Sequence, residues 1–175
     1  YLKIRVQTAE EAIELKRLAL LETGYPMSAD WSFRSSDPAW DATLPLLTRG
    51  LELGAHETWV DCPYYEQANY VGDTVLHALS NYVGYTDVRL TKNSLLGFIR
   101  SRGTQGLVNE RFPTQWRQES GTYAMLYVLL VRDYLLWQGE GDWVRWELLP
   151  GLRSQLEEML HWLGPDGHVG KVIGW

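Results

Sequence analysis

After Ser36 apolar residues recur mostly every three or four positions, whereas at the start of the chain they alternate with polar ones. Leu2, Ile4 and Val6 flank Lys3 and Arg5, the two-residue period of a strand. Residues 10–22 place Ala12, Ile13, Leu15, Leu18 and Ala19 at mixed spacing, which fits a helix or strands about a turn. Gly24-Tyr25-Pro26 reads as a turn and Trp31-Ser32-Phe33 as a short strand. Ser36-Asp37-Pro38 opens a helix to about Gly54, because a capping side chain followed by proline suits a first turn. Residues 55–70 are irregular.

A second helix is expected from Gly72-Asp73, with Val75, Leu76, Leu79, Tyr82 and Val83 on one side. Thr86-Asp87 caps a third, which turns Val88, Leu95, Phe98 and Ile99 inward and ends near Arg102-Gly103. A loop over 103–117 leads to a fourth helix at 118–138, striped by Tyr123, Leu126, Tyr127, Leu130, Tyr134 and Trp137. Gly139 to Gly141 closes it. A fifth starts at Asp142 with Leu149, Leu152, Leu156, Met159, Leu160 and Leu163 inward, and Pro150 must kink or restart it. Gly164-Pro165-Asp166-Gly167 is a tight turn. Helix after helix with no strand between predicts a mainly α fold of stacked hairpins. Five helices with no closing element predict an incomplete toroid of helix pairs, with a site built by loops at one end.

Composition narrows the function. The 175 residues, 45% hydrophobic and 22% charged, suffice for one folded domain. A net charge of −6 leaves no basic face for a phosphate backbone, so no nucleic-acid partner is expected. The longest apolar run, Tyr123 to Val131, is too short to span a bilayer. Cys62 is the single cysteine, and His56, His77, His161 and His168 are dispersed, so no metal or cofactor is expected. The start at Tyr1, without a leader pattern, reads as a piece of a longer protein and leaves cytoplasmic and exported locations both open. Trp and Tyr, 9 and 10 in number against 3 Phe, suit an aromatic core and a wet pocket alike.

The chemistry concentrates in residues 57–73, ETWVDCPYYEQANYVGD. Asp61, Glu66 and Asp73 lie among Tyr64, Tyr65 and Tyr70. One carboxylic acid kept protonated by neighbouring negative charge donates to a leaving oxygen. Aromatic faces offer flat apolar surface to a pyranose. Asp61 also reads as a turn cap ahead of Pro63, and Asp73 as a first-turn carboxylate. Trp116 is expected at the same end, as a sugar platform or a plug under the loop. Glu110 and Arg111 read as a surface pair, and Trp143 and Trp146 as helix-packing residues.

The stretch Asp61-Cys62-Pro63-x-x-Glu66 with Gly72-Asp73 resembles the signature of bacterial α-L-rhamnosidases of glycoside hydrolase family 78. The segments DVRLTKNSLLGFIRSR, GLVNERFPTQWRQ and RDYLLWQGEGDWVR resemble the same family. Many members carry Arg before the acid, where this chain has Tyr65, and Arg-Leu-Gly-Trp after it, where it has Gln67-Ala68-Asn69-Tyr70. The resemblance implies an incomplete (α/α)6 barrel over 35–175, with 1–34 the end of a preceding β-sandwich. It implies an inverting hydrolase that removes terminal α-L-rhamnose. Glu66 is then the general acid, and Asp61 and Asp73, with Tyr65, Tyr70 and Trp116, hold the sugar. The family's general base lies further along than this chain reaches, so the chain alone is expected to be inactive. A non-catalytic carbohydrate-binding protein on the same toroid is the alternative. Exposed helix faces of a half-barrel predict homo-oligomerisation.

Overall fold

The computed structural model describes residues 2–29 and 31–170. Among the described residues six α-helices follow one another: α1 Pro38–Leu53, α2 Val71–Gly84, α3 Arg89–Arg100, α4 Gly121–Gln138, the short α5 Gly141–Trp143 and α6 Leu149–Leu160. None of them is long and apolar enough to cross a membrane. Local chemistry sets the helix ends. Asp37 accepts the Ala39 N–H at 2.9 Å and starts α1, as expected of Ser36-Asp37-Pro38. Ser120 accepts the Tyr123 N–H at 3.3 Å and starts α4. Gly139, left-handed at φ 68, ends α4, a conformation that glycine adopts without a Cβ clash.

The core lies between α2 and α4, with α3 and the segment carrying Val144, Leu148 and Leu152 closing its sides. Val71 and Ala78 of α2 meet Leu95, Phe98 and Ile99 of α3 and Tyr127, Leu130 and Tyr134 of α4. Each fully buried side chain of this kind contributes roughly 1.5–3 kcal/mol. A second cluster joins Leu51 and Ala55 to Trp59, Tyr85 and Leu90, and Tyr25 and Met27 pack on it. Tyr25 is held there by its N–H to the Ala55 carbonyl at 2.9 Å and its hydroxyl to Asp87 at 2.8 Å.

Pro150 restarts the last helix. Residues Val144–Leu148 form a π-turn, so α6 begins at Leu149 with Pro150 in its first turn, where no amide is needed. The extra residue rotates the helix and corrects the expected inward face. Leu152 is buried, but Leu149, Leu156, Leu160 and Leu163 are exposed. Gln155 takes the core position instead, fully buried, and a Cβ on Gly151 would meet the Ile99 side chain at 2.6 Å.

The expected strands do not form. Leu2, Ile4 and Val6 are exposed, and no described residue pairs with their backbone, which a strand requires. Residues 10–22 adopt neither helix nor strand. Trp31 and Phe33 are not in a strand either; the Trp31 indole lies against Gly84 at the end of α2. Trp175 lies outside the described residues.

Candidate active site

The segment from Ala55 to Tyr70 is a loop between α1 and α2, and it carries the first two carboxylates. Its backbone is stitched to the loop that precedes α4. Tyr70 and Arg111 form an antiparallel bridge, the Val71 N–H reaches the Glu110 carbonyl at 2.8 Å, and the Phe112 N–H reaches the Asn69 carbonyl at 3.0 Å. The buried Asn69 side chain completes the seam, donating to the Phe112 carbonyl and accepting from Thr74 Oγ1, both at 2.9 Å. Trp116 is thereby brought to the same end as Glu66, as the sequence suggests. Thr58, Glu66, Gln67, Asn69, Arg111 and Trp116 line one open cavity of about 530 Å³.

Glu66 is exposed at the mouth of this cavity. Its carboxylate accepts from the Cys62 thiol at 2.8 Å, and its backbone N–H donates to Cys62 Sγ at 3.2 Å. Gln67 follows in the left-handed region at φ 51, uncommon for a residue with a side chain, and its amide donates to the Pro63 carbonyl at 2.9 Å. Donor atoms of Asp61, Cys62 and Glu66 all lie within 4.8 Å of one another. These three are the one such group among the described residues.

Asp73 stands in the first turn of α2, half-buried. The two candidate carboxyls are tuned apart. Glu66 is held below the ordinary carboxylate range, first by the Cys62 thiol and then by a backbone N–H, with Asp61 and Arg111 adding to it. Asp73 is pushed up, chiefly by burial and then by the charges of Asp61 and Glu66, while a backbone N–H opposes. His77, one turn on from Asp73, stacks on Trp59 with ring centroids 5.3 Å apart, and burial lowers its pKa. The neighbouring carboxylates thus do not raise the Glu66 pKa in this chain; Asp73 is the carboxyl that is pushed up.

The aromatic candidates divide. Tyr65 is exposed and meets Tyr64 edge to face at 4.9 Å. Trp116 is exposed in the cavity wall. Tyr70 is buried, with Tyr123 at its edge and the Arg111 guanidinium 5.5 Å from its ring centre. Trp143 packs against Tyr134, while Trp146 is exposed.

Glu110 and Arg111 are not a surface pair. Glu110 is fully buried, and neither carboxylate oxygen has a hydrogen-bond partner among the described residues. Arg111 instead puts a cation beside Glu66, where the sequence motif has none. No local pattern marks Arg111, because the bridge from Tyr70 that places it spans the whole of α2 and α3.

The sequence matches the family described as bacterial alpha-L-rhamnosidase 6 hairpin glycosidase domain over residues 29–162, and the chain belongs to that family. It is similar to the crystal structure of a family 78 rhamnosidase of Bacillus sp. GL1, with 26% identity and a TM-score of 0.80 over 87% of this chain and 16% of that one. It is also similar to a rhamnosidase from Klebsiella oxytoca with rhamnose bound, with 25% identity and a TM-score of 0.72 over 81% of this chain and 28% of that one. The chain therefore spans well under a third of either enzyme. No curated relative matches it significantly.

Proposed function

We propose that these residues form the acid-bearing part of an α-L-rhamnosidase that works by inversion. The observation that carries this is the exposed Glu66 carboxylate at the mouth of a cavity, with Asp61 beside it and Asp73 within electrostatic reach. Glu66 gives its proton to the glycosidic oxygen as the bond to the anomeric carbon breaks. Asp61 and Asp73 hold ring hydroxyls, and Tyr65 and Trp116 offer apolar faces. A water on the opposite side of the ring attacks and loses its proton to a second carboxylate, roughly 6.5–9.5 Å from the first. That base is assigned to a part of the enzyme outside these residues, so the chain alone does not turn over. Residues 1–34 are read as the end of a preceding domain and 35–175 as the start of the barrel.

Glu66 must gain a proton before it acts, and the open site favours the carboxylate. A sugar seated over it removes water and disfavours the charge, the direction catalysis needs. The test is Glu66→Gln in the full-length protein. Hydrolysis of a rhamnoside with a poor leaving group should vanish while rhamnose binding persists. A near-native rate would remove Glu66 from the role, and retention of anomeric configuration, read by NMR, would remove the inverting mechanism.

The depressed pKa of Glu66 also supports a second reading, a carbohydrate-binding protein in which Glu66 only accepts hydroxyl hydrogens. Turnover of aryl rhamnosides by the full-length protein decides against it. The apolar groove between α1 and α2, with Leu46, Leu47, Leu76 and Val83 exposed along it, is the face through which the isolated chain self-associates. Light scattering that finds a monomer overturns that part.

A further inference from the structure

Cys62 and Glu66 are joined twice across four residues. The thiol donates to Glu66 Oε2 at 2.8 Å, and the sulfur receives the Glu66 N–H at 3.2 Å. A cysteine kept for packing turns its sulfur into the core; this one is half-exposed and faces a carboxylate. The turn around it is closed by Gln67, which takes a left-handed backbone and ties its side chain to the Pro63 carbonyl. The other groups that act on Glu66 are Asp61 from the start of the turn, Tyr70 and Asp73 at the entry to α2, and Arg111 from the loop before α4.

We propose that Cys62 is a positioning residue for Glu66, holding the acid's carboxyl in one orientation at the cavity mouth through a sulfur that both donates to it and receives its amide. A thiol is a weak donor to neutral groups, but against a carboxylate the bond is charge-assisted. It stabilises the ionised form, and Cys62 is the first cause of the low Glu66 pKa. The sulfur thus works in two directions. It aims the carboxyl, which speeds proton donation, and it resists protonation, which caps activity at high pH. The inference rests on Glu66 being the acid.

The experiment is the pH dependence of kcat/KM for the full-length enzyme on a rhamnoside with a poor leaving group, with Cys62→Ala and Cys62→Ser beside the wild type. The basic limb reports the acid of the free enzyme. In Cys62→Ala it should move to higher pH by about one unit, the size expected for one hydrogen bond to a charged group. The plateau in kcat should fall with little change in KM. Cys62→Ser keeps a donor and should restore the limb. A basic limb unmoved in Cys62→Ala, or moved equally in both variants, overturns the proposal. If Cys62→Ala does not fold, wild-type enzyme with Cys62 capped by methyl methanethiosulfonate carries the test, since the mixed disulfide has no S–H; an upward limb supports the proposal and an unmoved one overturns it. Glu66→Gln separates the two levels. An inactive Glu66→Gln with an unmoved Cys62→Ala limb removes only the role of Cys62, whereas an active Glu66→Gln removes the assignment of the acid.

Discussion

Asp61 and Ala68 are joined by two hydrogen bonds. The Asp61 N–H donates to the Ala68 carbonyl at 2.9 Å, and the Ala68 N–H donates to Asp61 Oδ1 at 2.9 Å. The pair closes the turn that carries Cys62 and Glu66. One carboxylate oxygen of Asp61 therefore holds backbone, and the proposed contact with a sugar hydroxyl falls to the other.

The two duties of Asp61 separate by substitution. Asp61→Asn keeps an oxygen for the Ala68 N–H but loses the charge. Asp61→Ala loses both. Amide exchange at Ala68 should stay protected in Asp61→Asn and speed up in Asp61→Ala. Rhamnose affinity of the full-length protein should fall in both variants, about tenfold in Asp61→Asn, the scale of one charge-assisted hydrogen bond. Unchanged affinity in Asp61→Asn leaves Asp61 as a turn residue only.

Gln155 governs the second half of the chain. Its side-chain oxygen accepts the Val108 N–H and its nitrogen donates to the Ala124 carbonyl, both at 2.9 Å and fully buried. It ties α6 to α4 and to the loop that delivers Arg111 and Trp116. Gln155→Met keeps the length but strands the Val108 N–H without water. A loss of about 2–3 kcal/mol is expected, since an unsatisfied buried donor is costly. Denaturant unfolding reads it directly; a loss well under 1 kcal/mol would mean that the loop re-pairs its amide.

The residues that the sequence made legible are those whose cause is local. Asp37 and Gly139 end helices through contacts within a few positions, and Asp61, Glu66 and Asp73 sit close enough in sequence to be seen as one group. Gln155 was hidden because a polar residue on a helix reads as solvent-facing. The π-turn before Pro150 then rotated α6, and Leu160 and Leu163, which fit an apolar stripe, came out exposed. Leu2 to Val6 has the right alternation, but a strand needs a partner that pattern alone cannot supply. Arg111 reaches the site only through the pairing of residues 69–71 with 110–112, which no local spacing encodes.

Glu110 carries a cost that one substitution should relieve. Both its oxygens are buried without a partner among the described residues, within electrostatic reach of Tyr70 and Tyr123. A carboxylate there lacks the donors that normally offset desolvation. Glu110→Met removes both unpartnered oxygens at nearly equal volume and should raise the unfolding midpoint. Loss of stability would mean that the charge is balanced across the site, with Arg111 the nearest candidate, and Arg111→Met should then be destabilising as well.

Asp73 links stability to the site through pH. Burial, then the charges of Asp61 and Glu66, raise its folded-state pKa above the ordinary value of 3.8. In the window between that value and the raised one, the native chain binds a proton that the unfolded chain has released. Its contribution to stability therefore falls as pH rises through this window and stays unfavourable above it. Asp73→Asn removes the titration. Its midpoint should match the wild type in acid, below the window, and exceed it at neutral pH. Rhamnose affinity of the full-length protein should meanwhile drop, because the carboxylate proposed to hold a ring hydroxyl is gone. The opposite result, a variant less stable at neutral pH with affinity intact, would make Asp73 a charge that serves the first turn of α2. Gain in stability with loss of binding is the pattern of a group retained for the ligand at the expense of the fold.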